Sequence, residues 1–139
     1  MSAPPPFSPT IMLLTLGRTW DAEYAEALKP LGLTTRKYGL LGHIRAVPDI
    51  SFSELARRSR ITVQSVHTAV AGFVAAGLVG DGTAQAGSAS TLRITAAGDD
   101  LLNRAATEVA RLDADFADRY PELTAAFRAE MARAWEAAR

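Results

Sequence analysis

The stretch "SFSELARRSRITVQSVHTAVAGFVAAGLV", Ser51–Val79, decides how this chain folds. Ser51 stands three residues before Glu54, the capping-box spacing in which the serine oxygen and the glutamate carboxylate satisfy each other's free amides. Leu55 and Ala56 then face a core while Arg57 and Arg58 face outward. After a turn at "RSRI", Thr62 offers a second N-cap. Val66, Val70, Phe73, Val74 and Gly77 fall within one arc of the following helix, with Gln64, Thr68, Ala71 and Ala75 opposite and His67 on the flank. In "AAGLV", Gly77 supplies the left-handed residue that stops a helix and Leu78 the apolar contact that accompanies the stop. The stretch therefore encodes two short helices joined by a tight turn. The second of them, from Ile61 to Val79, contains no lysine, arginine, aspartate or glutamate.

Outward from this pair, the remaining elements follow from periodicity and breakers. Pro4, Pro5, Pro6 and Pro9 remove backbone donors and fix φ, so residues 1–9 are expected to form a disordered or extended arm. From Thr10, Leu13, Leu16, Trp20, Tyr24, Leu28 and Leu31 recur at helical spacing until Pro30 and Gly32 end the run. Thr34 to Val47 reads as a second helix, stopped by Pro48. On the other side, Leu78–Gly80 and Thr91–Thr95 read as two strands, with Leu92 and Ile94 alternating against Thr91, Arg93 and Thr95. The small-residue tip "DGTAQAGSAS" between them is expected to be mobile. A long helix starts at Thr95, with Leu101, Leu102, Ala105, Val109, Leu112 and Phe116 on its apolar face. A last one starts at Pro121, with Leu123, Phe127, Met131, Ala134 and Trp135 on one side.

The chain's 139 residues, 48% of them hydrophobic, suit one domain with an ordinary core. Fifteen basic and fifteen acidic side chains cancel, so no global field draws it to nucleic acid or an anionic membrane. The cancellation is uneven. Residues 1–33 carry a net charge of −1, residues 34–95 of +4 and residues 96–139 of −3, so the central segment is the only basic part. The absence of cysteine excludes thiol catalysis, disulfides and thiolate metal sites. With no basic leader and no run of roughly 20 apolar residues, the expectation is a cytoplasmic protein without a membrane partner.

Three motifs tempt and fail. In "DADFAD", Asp113 and Asp115 point apart on a helix, and calcium loops need a glycine-kinked backbone. "GDGTAQAG" lacks the Gly-Lys-Ser/Thr ending of a phosphate loop. His43 and His67, the only histidines, have no cysteine or suitable carboxylate grouping with which to build a triad or metal cluster. No enzyme, metal or cofactor is expected.

A tight helix pair followed at once by a small hairpin is a winged helix-turn-helix, in which the second helix enters the major groove and the hairpin touches flanking DNA. "LKPLGLTTRKYGLLGHI", "SFSELARRSRITVQSVHTAVAGFVAAGLV" and "LRITAAGDDLL" resemble, in order and spacing, the MarR family of bacterial transcriptional regulators. The resemblance covers Leu28 to Leu102, through "LGLT", "ELA", "GLV" and "ITAAG". It implies a mainly α fold: a dimerisation helix over 10–33, a winged helix-turn-helix lobe over 34–95 and C-terminal dimerisation helices over 96–139. It further implies a homodimer that grips double-stranded DNA, acts as a repressor, and is released by a small aromatic effector in the cleft beside the lobe.

On that frame Gln64, Ser65, His67 and Thr68 are the candidate base contacts, since glutamine pairs bidentately with adenine and a threonine methyl meets a thymine methyl. Arg36, Lys37, Arg57, Arg58, Arg60 and Arg93 are the candidate backbone contacts. Trp20, Tyr24, Tyr38 and His43 are candidates for an effector pocket, with core or dimer packing as the alternative. The chain departs from the family pattern in three places. Thr68 and Gly72 stand where an arginine is common, the hairpin tip lacks an Asp-Arg pair, and Arg60 replaces a glycine that often eases the turn. A degenerate winged helix serving protein interaction or ligand binding, without DNA, is the competing reading.

Overall fold

The structure, a computed structural model, describes residues 2–81 and 92–139. Helix α1 spans Pro9–Leu28 and is followed by a single 3-10 turn, Lys29–Leu31. Helices α2 (Thr35–Ala46), α3 (Phe52–Ser59) and α4 (Val63–Ala75) come next, then strands β1 (Val79–Asp81) and β2 (Leu92–Ile94), then helices α5 (Ala96–Arg119) and α6 (Pro121–Ala137). The strands pair antiparallel, with Gly80 opposite Arg93.

Local chemistry sets the boundaries. The Ser8 hydroxyl accepts the Ile11 N–H, so α1 starts one residue before the expected Thr10, and Pro9 occupies the first helical position, where its missing donor costs nothing. Thr34, Thr62 and Thr95 cap α2, α4 and α5 in the same way, accepting from Lys37, Ser65 and Gly98. The box expected at Ser51 is only half formed. Ser51 Oγ accepts the Glu54 N–H at 3.1 Å, but the Glu54 carboxylate turns to Arg57 and Arg58 instead of reaching back. Two cationic donors at one helical turn outcompete one neutral amide.

Three helix ends close with one motif. The N–H after the left-handed residue reaches back five positions, as in Leu33 to Leu28, Ile61 to Ala56 and Leu78 to Phe73, while the left-handed residue itself reaches back three. That residue is Gly32 (φ 70°), Gly77 (φ 74°) and, at the tight turn, Arg60 (φ 55°). An arginine there carries a Cβ in a region that costs roughly 1 kcal/mol.

The core centres on the lobe and takes in the ends of α1 and α5 that reach it. Leu40, Leu41 and Ile44 of α2, Leu55 of α3, Val66, Val70 and Phe73 of α4, Val79 and Leu92 of the sheet, and Leu102 and Ala105 of α5 are buried together with Leu28 and Leu33. Val74, expected on this face, is 42% exposed, because it lies at the edge of the buried arc whose centre is Val66, Val70 and Phe73. The described strands are also offset from expectation. β1 begins at Val79 and not Leu78, and β2 ends at Ile94, before Thr95, while Thr91 lies outside the described residues. The expected mobile tip lies, apart from Asp81, outside the described residues.

The stripe expected on α1 runs from exposed Leu13 through half-buried Leu16, Trp20 and Tyr24 to buried Leu28, while that on α6 is largely uncovered within one chain. Ile11 and Leu13 at the start of α1, and Met131 and Trp135 on α6, are all more than half exposed. The lobe and α5 instead meet at one tight point. A Cβ on Gly98 would stand 2.2 Å from the Leu78 carbonyl oxygen and 2.7 Å from Ile94 Cδ1, so α5 rests directly on the base of the sheet. The Thr95 N–H donates to that same Leu78 oxygen at 3.0 Å, and the Thr95 hydroxyl donates to the Gly77 oxygen at 2.6 Å. Gly98→Ala should destabilise the fold by about 1–3 kcal/mol, the usual cost of overpacking. Chemical denaturation checks this, and an unchanged midpoint would refute the contact.

Candidate nucleic-acid interface

Helix α4 is held from below and open above. Val66, Val70 and Phe73 anchor one face, while Gln64, His67, Thr68, Ala71 and Ala75 are exposed on the other. The four expected base contacts are not equivalent. Gln64 projects from the first turn. The Thr68 hydroxyl donates to the Gln64 carbonyl at 3.2 Å, which leaves its methyl as the group facing out. Ser65 is half-buried, and its hydroxyl accepts from the capping Thr62 hydroxyl at 2.8 Å, so it belongs partly to the helix start. The His67 ring stands edge-on against Phe52 of α3, centroids 4.2 Å apart at 88°. Phe52 and His67 also border a shallow apolar groove, completed by Val70, Ala71, Val74 and Ala75.

The cations divide into two groups. Glu54 holds both outward arginines of α3. Arg57 Nη2 and Arg58 Nε lie 2.6 and 2.7 Å from one carboxylate oxygen, and Arg57 Nε lies 2.9 Å from the other. The hydrogen bonds from Arg57 and then Arg58 hold the Glu54 carboxyl at about 2. Arg93 of β2 forms a two-pronged pair with Asp49, at 3.0 and 2.7 Å. That hydrogen bond holds the Asp49 carboxyl below its ordinary value and raises Arg93. Asp49 adopts φ 63° and donates its N–H to the Leu92 oxygen at 3.1 Å, so the turn between α2 and α3 is tied to β2 at three points. Among the described residues, Arg36, Lys37 and Arg60 have no carboxylate partner. Arg36 and Lys37 sit on the first turn of α2, about 15 Å along its axis from the end that approaches Arg93.

The four expected pocket residues are not gathered into one site. Trp20 lines an open apolar cavity of about 580 Å³ between α1, α5 and α6, with Phe7, Met12, Leu16, Phe116 and Phe127 among its walls. Phe116 meets Trp20 edge-on at 5.1 Å, and the Arg119 guanidinium lies 5.6 Å above the Trp20 ring. The Trp20 Nε1 is buried with no acceptor among the described residues. Tyr24 and Tyr38 pair with each other at 6.1 Å, outside this lining, and burial, then Tyr38 and Asp113, push the Tyr24 phenol up. His43 is half-buried on α2 and lines neither feature.

Sequence reasoning missed Asp49 and Glu54 as partners of the arginines. For Glu54 the signal was present in its spacing of three and four from Arg57 and Arg58. Asp49 and Arg93 are 44 positions apart, and only the fold joins them. The Glu54 pair has a pH consequence. A carboxyl depressed in the folded state from 4.5 to about 2 contributes stability that is present above pH 4.5 and lost as pH falls toward 2. Glu54→Gln should therefore melt lower than the parent at neutral pH. The difference should close between pH 4.5 and 2 in thermal melts, and a constant offset across that range would contradict the assignment.

Comparison with known proteins places these features. The family model described as "MarR family" matches residues 31–85. The chain is 32% identical over 104 residues to the HTH-type transcriptional repressor Rv2887 of Mycobacterium tuberculosis, an alignment that covers 74% of this chain and 75% of that protein. The crystal structure of Rv2887 in complex with DNA superposes with a TM-score of 0.77 at 27% identity, covering 92% of this chain and 98% of the other. The structure of Rv2887 in complex with salicylic acid gives 0.68 at 30% identity, covering 96% and 98%.

Proposed function

Because the chain belongs to the MarR family of transcriptional regulators, we propose that it is a homodimeric, sequence-specific DNA-binding repressor whose recognition helix is α4. The observation that carries this reading is the outward face of α4. It presents an amide at Gln64, an imidazole at His67 and methyls at Thr68 and Ala71, on a helix fixed by its buried face. An amide pairs bidentately with adenine N6 and N7, and methyls meet the thymine methyl, so this face suits A·T-rich sequence. The better superposition on the DNA complex of Rv2887 than on its salicylic acid complex supports a lobe arrangement compatible with DNA.

Phosphate contact falls first to Arg36, Lys37 and Arg60, and then to Arg57, Arg58 and Arg93, which must leave or share their carboxylates. Dimerisation is supported by the uncovered stripes: Ile11, Leu13 and Leu14 on α1 and Phe127, Met131 and Trp135 on α6. The apolar cavity beside Trp20, with Arg119 above the ring, suits a small aromatic acid as an effector, the class to which the salicylic acid bound by Rv2887 belongs. One observation favours the competing reading as an interaction module without DNA. Three of the six expected phosphate contacts already hold an internal anion.

Fluorescence anisotropy with duplexes selected from a random pool, at two salt concentrations, separates the two. The regulator reading expects sequence preference, and Gln64→Ala and His67→Ala should each weaken the preferred duplex by about 1–3 kcal/mol with little change in melting temperature. Binding indifferent to sequence at both salts overturns it. For the assembly, sedimentation should give a dimer that Trp135→Glu dissociates; a monomeric parent would contradict the proposed dimer.

A further inference from the structure

The lobe's charge invites a closer account. Residues 34–95 carry seven basic and three acidic side chains. Two of those three acids, Asp49 and Glu54, are the ones found gripping arginines expected to meet DNA. Their grip uses the donors that a phosphodiester would use, because a phosphate offers two oxygens to a guanidinium fork much as a carboxylate does. Arg93 commits both Nε and Nη2 to Asp49. Arg57 commits the same two nitrogens to Glu54, and Arg58 adds its Nε. The pairs are nevertheless open to exchange, since the arginine side chains are 39–71% exposed and the carboxylates 34–47%.

We propose that Asp49 and Glu54 are resident stand-ins for DNA phosphate, so that the protein engages a duplex by passing Arg57, Arg58 and Arg93 from carboxylate to phosphate, and that this exchange suppresses non-specific binding. The inference rests on the DNA-binding reading above. Its physical basis is counterion release. A free arginine that neutralises a phosphate releases a condensed cation and gains affinity with a salt slope of about −0.9 per phosphate. An arginine that must first give up an internal anion gains much less, on any sequence. The cost is the same free energy on any duplex, so it lowers both affinities by one factor. Arbitrary DNA, which lives almost entirely on this electrostatic gain, is carried below useful occupancy, while a matched site keeps the contacts from the uncharged face of α4.

Charge can be removed here without removing shape. Asn at position 49 tolerates the left-handed backbone, and Gln at position 54 leaves the Ser51 cap on the backbone N–H intact. Asp99→Asn serves as the control. It removes the same unit of charge but releases Arg45, which Asp99 and Asn103 hold at 3.2 and 3.0 Å and which is not an expected phosphate contact.

Full-length parent, Asp49→Asn, Glu54→Gln, the double variant and Asp99→Asn are titrated against a preferred and a scrambled duplex over a salt series. The expected result is a log–log salt slope steeper by about 1 in Asp49→Asn and by about 1–2 in Glu54→Gln, with Asp99→Asn at the parent's value. Affinity for the preferred and the scrambled duplex should rise by a similar factor, so that the variants bind scrambled DNA at a salt concentration where the parent's binding to it is lost. Parent-like slopes in Asp49→Asn and Glu54→Gln, or weakened binding with a shallower slope, overturn the inference alone and make the carboxylates mere positioners of the arginines. An Asp99→Asn slope as steep as theirs overturns it in favour of a general charge effect. No duplex binding by the parent or by any variant overturns this inference and the DNA-binding reading together. If Asp49→Asn melts early, Glu54→Gln decides the outcome.

Discussion

The fold turns on the contact between Gly98 and the Leu78 carbonyl oxygen, where a Cβ would come to 2.2 Å. Three elements meet there: the end of α4 through Gly77 and Leu78, the base of the sheet through Ile94, and the first turn of α5. Thr95 secures the same place twice, by its N–H on Leu78 and its hydroxyl on Gly77, while its oxygen also caps α5. One glycine and one threonine therefore set how α4 is oriented against α5. Most of what is buried lies on the lobe side of this joint, joined by Leu28 of α1 and Leu102 and Ala105 of α5, whereas the most exposed apolar side chains lie on α1 and α6 and in the arm before them.

Much of this was written in short-range chemistry. The threonine caps, the glycine stop at Gly77 and the buried arc of Val66, Val70 and Phe73 follow from spacing alone, because each depends on neighbours within one or two turns. What sequence could not supply was partnership at a distance. Val74 was placed in the core because a helical wheel has no knowledge of where the neighbouring helix ends. Asp49 was passed over because its carboxylate has meaning only once the α2–α3 turn is laid beside β2. Trp20, Tyr24, Tyr38 and His43 shared aromatic or titratable character, and the fold distributes them over a cavity, a ring pair and a half-buried position.

The uncharged recognition helix is better understood with the arginines in place. On the proposed DNA-binding reading, affinity and base reading fall to different elements: hydrogen-bonding and methyl groups on α4, charge on α2, α3, the turn and β2. The lobe's net +4 already subtracts its acids, and within it the Arg93–Asp49 pair is neutral while Glu54 offsets only one of Arg57 and Arg58. The Arg60 turn differs, since it accepts a strained backbone at the corner between α3 and α4 around a cation that has no carboxylate partner among the described residues.

The length of α5 gives the joint at Gly98 mechanical leverage. The helix is continuous for 24 residues, yet only Gly98, Leu102 and Ala105 in its first half are buried. Phe116, on the wall of the aromatic cavity, lies about 27 Å further along the axis. A tilt of about one degree about the glycine contact thus displaces the Phe116 end by about 0.5 Å, on a rigid helix of that rise. On the same geometry, a half-ångström displacement at the Phe116 end corresponds to a tilt of about one degree where α5 meets Leu78 and the sheet.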